Sequence, residues 1–204
     1  MFITKFKLAN LVTYGGIIAS LLAIIFSYKL NIKISFICFI MAGICDMLDG
    51  RFARLFKRTE EEKEIGIQMD SLADVLSFLI VPVVLSLGMG MNKWYNIIIY
   101  MVYVVCGITR LGYFNVFANE MKQNNKSITV YSGLAVTYAS LIFPMVYLLR
   151  YVVNEITFNI IFAGVMLVVS FLFMLNVKID KPGKVAYVVY ILLAVFVSCL
   201  IILL

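Results

Sequence analysis

The chain has 204 residues, 64% of them hydrophobic and only 14% charged, with a net charge of +6 and a mean hydropathy of +1.04. Soluble domains carry about 45–50% apolar and about 25% charged residues, so a water-soluble globule is excluded, and with it a basic nucleic-acid-binding module; the bilayer is the expected solvent. There is no histidine, and the four cysteines (Cys38, Cys45, Cys106 and Cys199) form no CxxC pair, so disulfide and zinc frameworks are not expected and any acid–base or metal chemistry falls to carboxylates.

Residues 1–10 carry Lys5 and Lys7 ahead of an apolar run of full spanning length with no small-residue cleavage site. They read as a short interfacial segment, not a secretory signal. Seven apolar segments follow, at 11–30, 34–56, 67–91, 94–117, 132–151, 156–175 and 185–204. A crossing takes about 20 apolar residues, and in lipid only helices or closed barrels satisfy the backbone. Runs this long and continuous are helices, so the expected fold is an all-α polytopic transmembrane bundle forming one domain over residues 1–204. Thirteen of the seventeen Lys and Arg residues fall on one side if the N-terminus is cytoplasmic, against Lys29, Lys33, Lys93 and Arg150 on the other; this bias sets the N-terminus inside. Trp94, Tyr95, Tyr147 and Tyr151 read as interfacial aromatics. The acidic run at 59–64 reads as a solvated linker or helix extension, and the polar stretch 119–129 as a loop or flap.

Most spans are featureless, but the second and third are not. The second ends with Asp46, Asp49, Gly50, Ala53 and Arg54; the third opens with Gly66, Asp70 and Asp74. On helices, Asp46, Asp49, Gly50 and Ala53 fall at i, i+3, i+4 and i+7, and Gly66, Asp70 and Asp74 at i, i+4 and i+8. Each set is therefore one stripe. The short connection makes the helices antiparallel neighbours, so four carboxylates converge near one membrane face. A carboxylate in a membrane helix costs about 2.5–3.5 kcal/mol at the centre on insertion scales, and four together repel. Divalent cations resolve both problems, and oxygen-only ligands point to Mg²⁺, Mn²⁺ or Ca²⁺. Gly50 and Gly66 leave bare backbone for a pyrophosphate, with Arg54 placed for a phosphate oxygen.

Asp-x2-Asp-Gly-x2-Ala-Arg, a spacer of eleven residues, then Gly-x3-Asp-x3-Asp resembles the signature of the CDP-alcohol phosphotransferases. The resemblance implies a six-helix core, to which the seventh segment is an addition, often working as a homodimer. It implies transfer of a phosphatidyl-type group from a CDP-linked donor to an alcohol with release of CMP. By position, Asp46 and Asp70 would bridge two divalent ions, Mg²⁺ or Mn²⁺; Asp49 would complete one site and Asp74 the other. Asp74 would also take the proton of the attacking hydroxyl. Asn10, Thr13, Asp49, Gly50, Ala53, Arg54 and Gly66 would hold the CDP moiety. The stretches 69–78, 109–116, 132–134 and 175–178 are similar to the branch of the family that makes phosphatidylserine, which implies CDP-diacylglycerol and L-serine as substrates at the cytoplasmic face of a prokaryotic cell membrane. Arg110 and Asn115 are the acceptor-binding residues expected. The branch departs from this chain at Tyr113, where an arginine is usual, and at Ala135, where a proline is. Other readings are a different acceptor (glycerol 3-phosphate or inositol phosphate), an ether-lipid donor as in archaetidylserine synthesis, and, outside the family, a divalent-cation transporter, which would not require Gly50, Ala53, Arg54 and Gly66 at these offsets.

Overall fold

A computed structural model of the chain describes residues 8–123, 130–176, 178–180 and 184–204. After a 3-10 turn at Leu8–Asn10, helices α1 (Leu11–Tyr28) and α2 (Ile32–Ala53) form a hairpin. Its turn passes through Leu30 at φ 58°, and Asn31 caps α2 by accepting from the Ile34 N–H. The buried face of α1 is Gly16, Ser20, Ala23 and Ser27. Small residues at this spacing let helices approach closely, and their hydroxyls join neighbours where lipid offers no hydrogen bonds. Thus Ser20 bonds Ser77 at 2.7 Å, Ser27 donates to the Val84 carbonyl at 3.0 Å, and Ser35 donates to that of Ala23.

Helix α3 (Glu60–Asp74) opens on a capping box: Thr59 accepts from the Glu62 N–H and Glu62 accepts from the Thr59 N–H. The acidic run is therefore the first turn of a helix, with negative charge at the positive end of the helix dipole. A π-helical stretch, Val75–Ile80, leads directly into α4 (Val81–Gly88), giving one rod over Glu60–Gly88. Pro82 explains the wide turn. It has no N–H for the carbonyl four residues earlier, that of Phe78, and the Tyr103 hydroxyl donates to that carbonyl instead, at 2.7 Å.

Helix α5 (Trp94–Gln123) packs on α7 (Glu155–Met174). Between them lies a helical segment, Val136–Tyr151, whose centre is α6 (Ala139–Tyr147). It starts later than the predicted residue 132. Gly133, at φ +76°, lies so near α7 that a Cβ there would be 3.0 Å from the Phe173 carbonyl oxygen. The backbone turns at this point instead of continuing as helix. A ladder of three residue pairs, β1 (Val130–Ser132) antiparallel to β2 (Lys178–Asp180), joins the connections on either side. It is an addition to the all-α expectation. Helix α8 (Lys184–Leu203) packs on α2 and α6. Residues 1–7, 124–129, 177 and 181–183 lie outside the described residues, and with them most of the expected interfacial segment, much of the expected flap, and Lys5, Lys7, Lys126 and Lys181.

Among the described residues, five helical segments are long and apolar enough to cross a membrane: Leu8–Tyr28, Glu60–Gly88, Trp94–Phe117, Glu155–Met174 and Ala186–Leu203. Helix α2 has 22 residues but carries Lys33, Asp46 and Asp49, and Val136–Tyr151 is shorter. The core is aromatic, with Phe36, Phe39, Phe78, Tyr103, Phe143, Phe158 and Phe162 fully buried. Large apolar side chains such as Ile18, Ile25, Val168, Phe171, Leu192 and Phe196 face outward, as a bilayer requires. A polytopic helical membrane bundle is the result.

Candidate active site

The second half of α2 supplies Asp46 and Asp49, and the last two turns of α3 supply Asp70 and Asp74. The antiparallel course of the helices brings the two stripes together. Asp46, Asp49 and Asp70 each offer one carboxylate oxygen, and the three oxygens lie within 4.8 Å of one another. Asp74 is within hydrogen-bond reach of Asp46, and Asp70 of Asp49. Two neutral threonines orient the group: Thr13 of α1 donates to Asp49 Oδ2 and Thr137, before α6, donates to Asp46 Oδ2, both at 2.9 Å. Asp49 is buried.

This donor set fits a hard divalent cation. Carboxylates so close coexist only with shared protons or a bridging cation. Asp74 Oδ1 is buried with no hydrogen-bond partner among the described residues, as a coordinating or proton-accepting oxygen would be. The ligand atoms are all oxygen, which matches Mg²⁺ or Mn²⁺ better than softer metals.

The quartet lines a cavity of about 790 Å³ that is also walled by residues of α2, α5, α6 and α8. A volume in this range suits a small molecule or headgroup. Gly50, Arg51 and Arg54 line it from α2, and Arg110 from α5; Leu111, Phe114, Leu141, Val189 and Leu193 supply an apolar wall. A Cβ on Gly50 would meet nothing within 4 Å, so this glycine leaves open backbone at the cavity and is not there to admit another helix. Arg110 is buried, its guanidinium carbon 5.4 Å from the Phe114 ring centroid.

The remaining predicted site residues divide. Gly66 and Asn10 are together on the α1–α3 side: a Cβ at Gly66 would lie 3.3 Å from Arg58 Nη1 and 3.7 Å from Asn10 Oδ1. Asn10 also approaches Met69 Sδ at 3.6 Å. Ala53 is buried on α2. Asn115 is not among the residues lining the cavity; its side-chain amide donates to Ser71 Oγ at 2.9 Å, joining α5 to α3. Of the two family departures, Ala135 lines the cavity, whereas Tyr113 is exposed and stacks on Phe117.

Sequence reasoning missed five side chains. Arg51 counts only as a topology charge in the sequence, yet it lines the cavity with its guanidinium carbon 3.8 Å from the Tyr187 ring centroid. Tyr190 lines the cavity as well and shares a 2.5 Å hydrogen bond with Ser140. Thr137 and Arg58 complete the set. The capping-box register and the arginine-rich end of α2 mark Arg51 and Arg58 as neighbours of the motif. Nothing local marks Thr137, Tyr187 or Tyr190.

The bundle thus sets four carboxylates, three of which could share a metal ion, beside a cavity lined by three arginines. The chain belongs to the CDP-alcohol phosphatidyltransferase family, whose model matches residues 6–172. It is 34% identical over 116 residues to the CDP-diacylglycerol–serine O-phosphatidyltransferase of Saccharomyces cerevisiae, covering 55% of this chain and 41% of that protein. It is 30% identical over 148 residues to the archaetidylserine synthase of Methanothermobacter thermautotrophicus (72% of this chain, 60% of that one). It is 25% identical over 196 residues to the CDP-diacylglycerol–serine O-phosphatidyltransferase of Helicobacter pylori J99 (93% and 79%). The match thus spans about two fifths of the yeast relative's length and most of the H. pylori one.

Proposed function

We propose that the chain transfers the phosphatidyl group of CDP-diacylglycerol to L-serine, forming phosphatidylserine and CMP. The observation that carries this reading is the convergence of Asp46, Asp49, Asp70 and Asp74 in a cavity also lined by Gly50 and Arg54, in a chain of this family. The names of the yeast and H. pylori relatives support serine as acceptor. The cavity lining also supports it, because a phosphorylated acceptor would call for more cationic side chains than Arg51, Arg54 and Arg110.

The four aspartates would hold two divalent cations, Mg²⁺ or Mn²⁺, which when bound neutralise charge on the donor diphosphate and on the departing CMP. Gly50 lets the diphosphate approach the α2 backbone, and Arg54 pairs with one of its oxygens. Asn10, Thr13, Ala53 and Gly66 shape the nucleotide side. Arg110 holds the serine carboxylate; Asn115, bonded to Ser71, steadies α3 beside it. The serine hydroxyl forms a new O–P bond to the phosphorus that bears diacylglycerol. The P–O bond to CMP breaks, and CMP leaves with that electron pair. The hydroxyl proton passes to Asp74 Oδ1, since an alcohol is a poor nucleophile at neutral pH. Leu111, Phe114 and Leu193 line the apolar side, where the glycerol root of the donor sits with its acyl chains in lipid. The site and the N-terminus face the cytoplasm, and the working unit is a homodimer.

The test is product identification with isotopically labelled L-serine. Labelled phosphatidylserine from a diacyl donor supports the reading, and product only from an ether-linked donor moves it to archaetidylserine synthesis. Substrate-independent passage of Mn²⁺ across proteoliposomes, with no CMP formed, contradicts it.

A further inference from the structure

The family match ends at residue 172, yet α8, which begins at Lys184, forms a wall of the cavity through Ala186, Tyr187, Val189, Tyr190 and Leu193. A helix attached beside a finished site would not do this.

Two contacts seat α8. Tyr190 bonds Ser140 of α6, and both fit because residue 43 of α2 is glycine: a Cβ there would lie 2.7 Å from Ser140 Cβ and 2.7 Å from the Tyr190 hydroxyl. About one turn away, Tyr187 lies against Arg51. The guanidinium carbon sits over the ring, 3.8 Å from its centroid, a close cation–π contact. Other cation–ring pairs among the described residues lie at 5.4–6.0 Å. A guanidinium stacked on a ring has one face covered and its N–H edges directed outward for planar anions, and it loses less freedom on binding one than an unsupported side chain would. Arg51 follows Gly50 and lines the same cavity as the aspartates.

We infer that α8 completes the substrate cavity and that Tyr187 is a positioning residue, holding Arg51 as a binding group for an anionic oxygen of bound substrate. That anion is the carboxylate of the acceptor or the diphosphate of the donor. This inference rests on the transferase reading above and extends the site to a helix outside the family match.

The experiment measures KM for L-serine and for CDP-diacylglycerol, with kcat, in the wild-type protein and in Tyr187→Phe, Tyr187→Leu, Arg51→Gln and the Tyr187→Leu/Arg51→Gln double variant. Tyr187→Phe keeps the ring and stays within about twofold of wild type. Tyr187→Leu and Arg51→Gln each raise one KM at least about fivefold with kcat within about twofold, and the double variant is no worse than Arg51→Gln alone, because Tyr187 acts through Arg51. A rise confined to serine identifies the carboxylate; one confined to CDP-diacylglycerol identifies the diphosphate. Unchanged KM values in Arg51→Gln, which leaves α8 intact, overturn the inference, as do additive effects in the double variant. A wild-type protein without turnover would sink the transferase reading instead. Calorimetric affinities for CDP-diacylglycerol and for L-serine in wild type and Arg51→Gln then decide whether Arg51 binds an anion: a weakened affinity for one of the two supports it, and unchanged affinities for both overturn it.

Discussion

The Tyr103 hydroxyl donates to the carbonyl of Phe78, four residues before Pro82, and so satisfies the backbone group that the proline leaves open. Both residues are fully buried, and the bond spans the π-helical stretch that starts immediately after Asp74. Tyr103→Phe removes the donor and leaves the carbonyl unsatisfied, a loss of about 1–3 kcal/mol. Thermal unfolding in detergent should show a lower midpoint than wild type. A midpoint equal to wild type would mean that the wide turn holds without this bond.

Thr137 and Thr13 stand behind the quartet, each donating to one aspartate. Groups that orient metal-binding carboxylates typically change metal affinity or activity by about 10–100-fold when removed. Thr137→Val should therefore raise the Mn²⁺ concentration for half-maximal activity by about tenfold or more, with the maximum rate at saturating Mn²⁺ closer to wild type. An unchanged Mn²⁺ titration would show that Thr137 does not orient Asp46.

Gly50 and Gly43, both on α2, should respond in opposite ways to alanine. Gly50 faces open space, so Gly50→Ala keeps the fold, and alanine is favoured over glycine in a helix by about 1 kcal/mol. Its methyl group would project into the cavity, and if the donor diphosphate lies there as proposed, KM for CDP-diacylglycerol rises at least about fivefold. Gly43→Ala drives a methyl group into Ser140 and Tyr190. Such overpacking costs about 1–3 kcal/mol, so a lower unfolding midpoint is expected there. If Gly50→Ala behaves as wild type in a donor titration, the backbone at Gly50 is not a contact for the diphosphate.

Asp46→Asn should abolish turnover while the protein still inserts and purifies as wild type, because the amide can neither balance cation charge nor accept from Thr137 in the same way. Detectable turnover above about 1% of wild type would remove Asp46 from the essential set.

Much of this is legible in one sequence. The aspartate pairs recur at helical spacing, so their convergence follows once the connection between α2 and α3 is short. The capping box is also legible in Thr59 and Glu62, but a search for apolar runs starts the third helix at residue 67, because such a search is blind to a polar first turn. Other features depend on partners distant in sequence. Pro82 alone predicts a kink or a break, and only the hydroxyl of Tyr103 on α5 turns it into a continuous π-helical stretch. The late start of α6 depends on Gly133 lying against the carbonyls of α7. The stacking of Arg51 on Tyr187 joins the family motif to a helix beyond the family match, and no local periodicity carries it. Asn115 likewise has a partner distant in sequence, since its side-chain amide donates to Ser71 on α3, and no local pattern carries that contact.

The central claim is tested most directly by CMP release from CDP-diacylglycerol by the purified protein, with Mn²⁺ or Mg²⁺ and, in turn, L-serine, glycerol 3-phosphate, inositol and inositol phosphate, each beside an EDTA control. CMP release that requires the metal and L-serine, with phosphatidylserine as the lipid product, is the predicted result. Absence of CMP release with every acceptor, from folded protein that still binds Mn²⁺, would contradict it.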